Sequence, residues 1–263
     1  MAMDKKRVVV KVGTSTLTHP SGSFNIRHIE SLVKTLSDIR NSGREIILVT
    51  SGAIGLGMAK LGLRERPKDT PTKQACAAVG QCELMNMYDR LFGSYNITVA
   101  QVLLTKYVIS DERKDNVLNA LERIIAAGAV PIVNENDVVA IDELELEVGE
   151  NDSLAATVAV LTEADLLIIM SDIDGLYDSD PRSNPDAKLI SRVENISEEI
   201  EKAASGAGSQ LGTGGMATKV RAAKIANAHG IDMLIINGAR AENLYDVFDG
   251  KIIGTLFAAG TKN

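Results

Sequence analysis

Gly212-Thr213-Gly214-Gly215-Met216-Ala217-Thr218-Lys219 runs three glycines and a lysine straight into a helical pattern continued by Val220, Ala222, Ala223, Ile225 and Ala226. Glycines let backbone N–H groups come close to an anion, and a helix N-terminus favours negative charge through its dipole. Lys219 falls in or near the first turn of that helix, the unfavourable end for a cation. A compensating anion, such as a nucleotide phosphate, would explain it. Taken alone, the octapeptide reads equally well as a flexible loop followed by a solvated lysine. It is not a Walker A loop, because no Ser or Thr follows the lysine and the spacing differs.

A second lysine stands at the end of a strand. Arg7-Val8-Val9-Val10-Lys11-Val12-Gly13-Thr14-Ser15 reads as a β-branched run of the kind buried on both faces of a parallel sheet. An ammonium is costly to bury there unless it is paired. Either Lys11 lies near the strand's carboxyl end, where α/β sheets bind ligands, or the strand is an edge and the lysine is solvated. Gly13 favours the first reading, since it supplies the side-chain-free position that a close phosphate needs.

Further polar clusters follow other strand-like runs. Thr50-Ser51-Gly52-Ala53 follows Glu45–Val49, Asn134-Glu135-Asn136-Asp137 follows Val130–Val133, and Ser171-Asp172-Ile173-Asp174-Gly175 follows Leu166–Met170. Each also has a purely local reading. Ser51 or Asn151-Asp152-Ser153 could cap the next helix, and Asn and Asp after a strand commonly make turns. Convergence of all four clusters with two misplaced lysines points instead to one ligand site at a sheet's carboxyl edge.

Elements to position these residues are visible. Strand-like runs are Val8–Val12, Glu45–Thr50, Thr98–Leu104, Val130–Val133, Leu166–Met170 and Asp232–Ile236. Helical patterns lie between them at Ile26–Asn41, Ala53–Leu61, Lys73–Phe92, Asp111–Ala127, Ser153–Leu161 and Met216–Ala228. This alternation predicts an α/β fold, a parallel sheet with right-handed crossovers and helices on both faces. Val138–Val148 alternates apolar and acidic residues and predicts a small hairpin. Gly175–Val193 is a turn-rich excursion, with Asp180-Pro181 and Asn184-Pro185, before a helix near Ser197. No repeat, low-complexity tract or linker divides the chain, so a single domain is expected.

Composition removes several function classes. The chain has 263 residues, enough for a full α/β core, with 45% hydrophobic residues and a net charge of −7. That charge argues against a nucleic-acid surface, so an anionic substrate must be drawn by local lysines. Aromatics make up 3% of the chain and Trp is absent, so base-stacking platforms are not expected. No apolar run approaches the roughly 18 residues of a membrane span, and no apolar h-region follows the basic N-terminal residues. Cys76 and Cys82 match no metal or redox spacing and suit a reducing cytoplasm. Gly52-Ala53-Ile54-Gly55-Leu56-Gly57 has the wrong glycine spacing for a dinucleotide fingerprint and lacks an acidic ribose partner. His19, His28 and His229 lie outside every cluster. With no G-x-S-x-G elbow, a Ser-His-Asp hydrolase is not indicated.

Together, Lys11–Ser15, Thr50–Ile54, Asn134–Asp137, Asn151-Asp152, Asp172 with Gly175-Leu176-Tyr177 and Asp180-Pro181, and Gly212–Lys219 closely resemble the amino-acid kinase family, in order and over nearly the whole chain. Within it the set is similar to the members that phosphorylate the γ-carboxylate of L-glutamate at the start of proline synthesis. Members that phosphorylate acetylglutamate, aspartate, carbamate or uridylate differ around the first lysine and the acceptor loop. The resemblance implies a three-layer αβα sandwich with a mainly parallel sheet. It places an acceptor half at about residues 1–163 and a nucleotide half at about 164–263. Many such enzymes carry a C-terminal RNA-binding-like PUA domain. This sequence runs only a few residues past Gly254-Thr255-Leu256-Phe257, and a form without that domain is expected.

Residue roles follow from the same resemblance. Lys11 contacts the transferring phosphoryl group, Lys219 the leaving phosphates, and Asp152 organises both lysines. Glutamate is bound by Ser51, Gly52, Ala53, Asn134, Asp137 and Asn151, with Asp137 taking the ammonium and Ser51 and Asn151 the carboxylates. ATP lies on Lys11, Gly13, Ser171, Asp172, Thr213, Gly214, Gly215, Met216, Ala217, Thr218 and Lys219. Mg²⁺ arrives on the ATP phosphates, with no protein ligand assigned. A carboxylate acceptor with a pKa of about 4.3 is already ionised and needs no general base, which accounts for the lack of a histidine in the clusters. L-Proline is implied as a feedback inhibitor, a homo-oligomer (dimer or tetramer) as the assembly, and a glutamyl phosphate reductase as a downstream partner. Two alternatives stand: another enzyme of the family acting on a different small acid, and a non-catalytic amino-acid sensor, which the presence of Lys11, Asp152 and Lys219 disfavours.

Overall fold

The computed structural model describes residues 6–19, 23–105, 113–140, 150–206 and 215–260. Along them run β1 (Arg7–Val12), α1 (Thr14–Leu17), α2 (Ile26–Asn41), β2 (Glu45–Val49), α3 (Ala53–Lys60), α4 (Thr70–Gly93), β3 (Val99–Leu104), α5 (Lys114–Ala126) and β4 (Val130–Glu135). There follow α6 (Glu150–Leu161), β5 (Leu166–Ser171), β6 (Arg192–Val193), α7 (Glu198–Gly206), α8 (Met216–Ala228), β7 (Asp232–Asn237), α9 (Asn243–Phe248) and β8 (Thr255–Phe257). The strands form one sheet in the order β3-β4-β2-β1-β5-β7-β8-β6. Every ladder is parallel except β7–β8, which is antiparallel.

Side-chain alternation along the strands builds two cores. Val8, Val10 and Val12 point to one face, with Ile46 and Leu48, and are covered by Leu32, Val33 and Leu36 of α2, Leu84, Tyr88 and Phe92 of α4, and Leu244 and Val247 of α9. Val9 points to the other face, with Ile47, Val49, Leu167 and Ile169, under Leu121 of α5, α6, α7 and α8. The result is the expected three-layer αβα sandwich with a mainly parallel sheet. β1 pairs with β2 on one side and β5 on the other, so it is central, and the edge-strand reading of Lys11 is excluded. By the same period of two, Lys11 faces the α6 and α8 layer.

Element ends differ from the sequence expectation for local reasons. α4 starts at Thr70, earlier than Lys73, because Asp69 accepts a hydrogen bond from the Thr72 N–H and Pro71 occupies the first turn. β4 continues to Glu135 because Leu103 and Leu104 of β3 pair with Asn134 and Glu135. α6 is described from Glu150, so Asn151 and Asp152 lie within the helix and do not cap it. Ser51 caps nothing either, since Gly52 is the N-cap of α3, at φ +98°, with no side-chain cap. The hairpin expected over Val138–Val148 falls mostly on residues 141–149, outside the described residues. The first residues of the Asp111–Ala127 helix also fall outside, and α5 is described from Lys114. β6, β8 and α9 were too short for a periodic signal. No helix among the described residues is long and apolar enough to cross a membrane.

Candidate active site

β4, β2, β1 and β5 are neighbours and parallel, so their carboxyl ends open on one edge of the sheet. That edge gathers Asn134 and Ser171 from the ends of β4 and β5, and Ser51 and Gly13 from just beyond β2 and β1, all far apart in sequence. Over it stands α6, which brings Asp152 to the layer faced by Lys11, and α8, which brings Lys219. The two helices can approach closely because Ala155, Ala156 and Ala159 and Ala222, Ala223 and Ala226 fill their shared core.

Asp152 binds both lysines. Lys11 Nζ lies 2.8 Å from its Oδ1 and Lys219 Nζ 3.2 Å from its Oδ2. Thr218 Oγ1 donates to the same Oδ2 at 2.8 Å. Asp152 is 1% exposed, Lys11 8% and Lys219 5%. Burial pushes the Asp152 carboxyl up, but the charges of Lys11 and Lys219, with hydrogen bonds from Lys11 and Thr218, outweigh it and hold it below the usual carboxylate range. An aspartate kept ionised in this way is unsuited to be a general base. Two ammoniums and one carboxylate leave the trio with one net positive charge in a mostly buried setting, which favours an incoming anion.

The residues expected to hold the nucleotide fall as follows. Gly215 is the N-cap of α8 and offers no side-chain cap, which leaves the N–H groups at Met216 and Ala217 at a dipole-favoured anion site. Met216 is buried and Ala217 exposed. Thr213 and Gly214 lie outside the described residues. A Cβ on Gly13 would stand 3.5 Å from Lys11 Nζ, so glycine keeps that approach to the ammonium clear. Ser171 ends β5, and its hydroxyl donates to the exposed Asp172 at 3.2 Å. Both Asp152 oxygens are engaged by lysines, and the described residues hold no cluster of three His, Cys, Asp or Glu side chains fit for a metal ion.

On the acceptor side a chain of amides links the elements. Asn151 Nδ2 lies 2.8 Å from the Thr50 carbonyl oxygen, 2.7 Å from Ser51 Oγ and 3.1 Å from Asn134 Oδ1. A backbone carbonyl can only accept, so it fixes which end of the Asn151 amide points inward. The Asn151 donors are thus committed to the protein, and its remaining oxygen suits an ammonium better than a carboxylate. Asn134, 2% exposed, passes the polarity on, with its Nδ2 donating to Gln81 Oε1 at 2.9 Å. Gly52 and Ala53 open α3 with uncapped N–H groups. Asp137 is half-buried in the turn after β4, which Gln74 anchors by donating to the Val138 carbonyl at 2.9 Å.

Gln81 and Tyr88 were not evident as site residues in the sequence. Tyr88 shares a 2.9 Å hydrogen bond with Thr50 Oγ1, and burial pushes its phenol well up from its ordinary value. Both lie mid-helix in α4, with no motif around them. Their only sequence signal is a polar side chain on the helical face that also carries Leu84.

A sequence model of the amino acid kinase family matches residues 6–237. This chain belongs to the amino acid kinase family. It is 54% identical to the glutamate 5-kinase of Clostridium perfringens over 97% of this chain and 96% of that protein. It is 50% identical to the glutamate 5-kinase of Listeria monocytogenes over 97% of this chain and 94% of that protein. Solved structures share the fold at low identity. A Giardia lamblia carbamate kinase bound to AMP-PNP has a TM-score of 0.68 at 15% identity, over 97% of this chain and 99% of its own. A Bacillus anthracis UMP kinase has a TM-score of 0.64 at 17% identity, over 98% and 97%. The amino acid kinase family's fold is therefore the one described here.

Proposed function

We infer that this amino acid kinase transfers the γ-phosphoryl group of ATP to the γ-carboxylate of L-glutamate, forming L-glutamyl 5-phosphate and ADP at the first step of proline synthesis. The single observation that carries the chemistry is Asp152 held between Lys11 and Lys219 at the sheet's carboxyl edge. The close relatives named glutamate 5-kinase support the choice of acceptor.

The carboxylate oxygen attacks the γ-phosphorus as the bond to the β-phosphate oxygen breaks, so no proton moves. The obstacle is repulsion between two anions, which alignment and fixed positive charge relieve. Lys11 neutralises the transferring group, Lys219 the departing phosphates, and Asp152 holds both ammoniums in register. Gly13, Ser171, Asp172 and Gly215–Lys219 support the nucleotide, with Thr213 and Gly214 assigned to it by resemblance. Mg²⁺ bound to the ATP phosphates supplies further charge neutralisation when present. Asp137 pairs with the substrate ammonium, assisted by the Asn151 oxygen. The Ser51 hydroxyl and the N–H groups of Gly52 and Ala53 serve the carboxylates.

Chain segments 1–163 and 164–263 serve as acceptor and nucleotide halves of one domain. The product is a reactive acyl phosphate, which a glutamyl phosphate reductase would consume. Proline shares the α-carboxylate and α-nitrogen of glutamate but lacks the reacting group, so it should occupy the Asp137 pocket and compete. An assembly of two or four copies in the cytoplasm completes the reading.

Measuring ADP release against a panel of small acids and phosphates, with the acyl phosphate trapped by hydroxylamine, tests the assignment. Turnover with glutamate alone, lost competitively to proline, is the expected result. Turnover only with another acid or with UMP would replace the acceptor, and no turnover with any would favour a sensor.

A further inference from the structure

We propose that Gln81 is a positioning residue for glutamate, acting on the acceptor pocket through Asn134 and Asn151. This rests on the glutamate reading above. The polarity of the amide chain begins at the Thr50 carbonyl, runs through Asn151 Nδ2 to Asn134 Oδ1, and from Asn134 Nδ2 to Gln81 Oε1. Gln81 closes it. Its carbonyl oxygen gives the Asn134 hydrogens an acceptor and so keeps the Asn134 oxygen turned to Asn151. Without that acceptor, rotation of the Asn134 amide would set two donors against each other at Asn151 and release it from Ser51.

Stability alone does not single out a glutamine here. Gln81 is 8% exposed and its Nε2 is buried with no hydrogen-bond partner among the described residues. A buried donor left unsatisfied offsets part of what the bond to Asn134 contributes, while an apolar side chain of the same length would take this acceptor away from the buried Asn134 Nδ2. What glutamine adds is direction. α4 delivers it to the site because Gly80, the preceding residue, lets α4 lie against the backbone of α3.

The test measures kcat and KM for glutamate and ATP, with melting temperatures, in wild type, Gln81→Met, Gln81→Glu, Asn134→Ala and the Gln81→Met/Asn134→Ala pair. Methionine keeps the length and removes the acceptor, and a glutamate carboxyl, ionised or protonated, restores it. Gln81→Met should raise KM for glutamate about 10- to 100-fold, with kcat and KM for ATP within about threefold of wild type. Gln81→Glu should return most of that loss. In the Asn134→Ala background, Gln81→Met should add less than about twofold, since the relay is already cut. An unchanged glutamate KM in Gln81→Met, or a full additional loss in the Asn134→Ala background, would overturn the proposal. So would a parallel fall of kcat and both affinities with the melting temperature. If Gln81→Met does not fold, Gln81→Ala takes its place in the same cycle, read by the same criteria. Should wild type phosphorylate a different acid, the glutamate reading fails, and the cycle run with that acid still decides the role of Gln81.

Discussion

Gly80 of α4 faces the carbonyl oxygen of Ala53 in α3 so closely that a Cβ on Gly80 would stand 1.7 Å from that oxygen. Gly57 of α3 meets Cys76 of α4 in the same way, with a Cβ only 1.8 Å from the Cys76 carbonyl oxygen. The two glycines let the helix backbones touch and so place Gln81 and Tyr88 behind the ends of β4 and β2.

In an open helix interior, Gly→Ala adds about 1 kcal/mol of stability. Here Gly80→Ala should instead destabilise by about 1–3 kcal/mol, because the methyl group drives α4 away from α3. A urea midpoint measured for the variant gives the sign directly. Any gain in stability would mean that the two helices can separate without cost.

Lys11→Ala and Lys219→Ala should each lower turnover by roughly 100- to 10,000-fold, the loss expected on removing one charge-stabilising group. In each variant Asp152 keeps one partner, so folding should survive. Glutamate KM should change little for Lys219→Ala, since the proposed place of that residue is on the nucleotide side. Steady-state kinetics with either substrate varied separates the effects, and near-wild-type turnover in either variant would remove it from phosphoryl transfer.

Much of this was legible in the sequence, and the parts that were not share a physical cause. β1 and β5 read clearly because short, nearly continuous apolar runs, β-branched in β1, are typical of buried parallel strands. Lys11 and Lys219 stood out because each sits where a cation is costly. Asp152 carried no such mark, since an aspartate near a helix start is ordinary. Only the fold brings it between two lysines that lie 141 and 67 residues away. Gln81 was hidden more deeply, because one polar residue on a helix face is normal and its partner Asn134 is 53 residues distant. β8 and β6 were invisible because two- and three-residue strands have no period to detect.

Asp137→Asn should weaken glutamate binding by about 2–5 kcal/mol, the range for breaking a desolvated carboxylate–ammonium pair. ATP saturation should hardly move, since Asp137 belongs to the turn after β4 and the residues proposed for the nucleotide lie mainly at the end of β5 and the start of α8. Isothermal titration of glutamate into each protein reads this without turnover. Equal losses of glutamate and ATP affinity would make Asp137 a structural residue of the turn.

Asp152→Asn should be the most damaging single change, and its effect should depend on pH. At neutral pH the variant leaves Lys11 and Lys219 buried with no carboxylate between them, a loss of about 3–5 kcal/mol. Because the folded carboxyl titrates below its ordinary value, the unfolded chain binds more protons between the lowered value and about pH 3.9. The stabilisation is therefore fully present above about pH 4 and is lost as pH falls through the folded value. Urea unfolding of wild type and variant between about pH 7 and about pH 3 should show a constant gap at first, then one that narrows on the acid side. A gap that stayed constant over the whole range would mean that Asp152 is not held ionised by its lysines. A gap that vanished already near neutrality would mean that the two lysines do not depend on it.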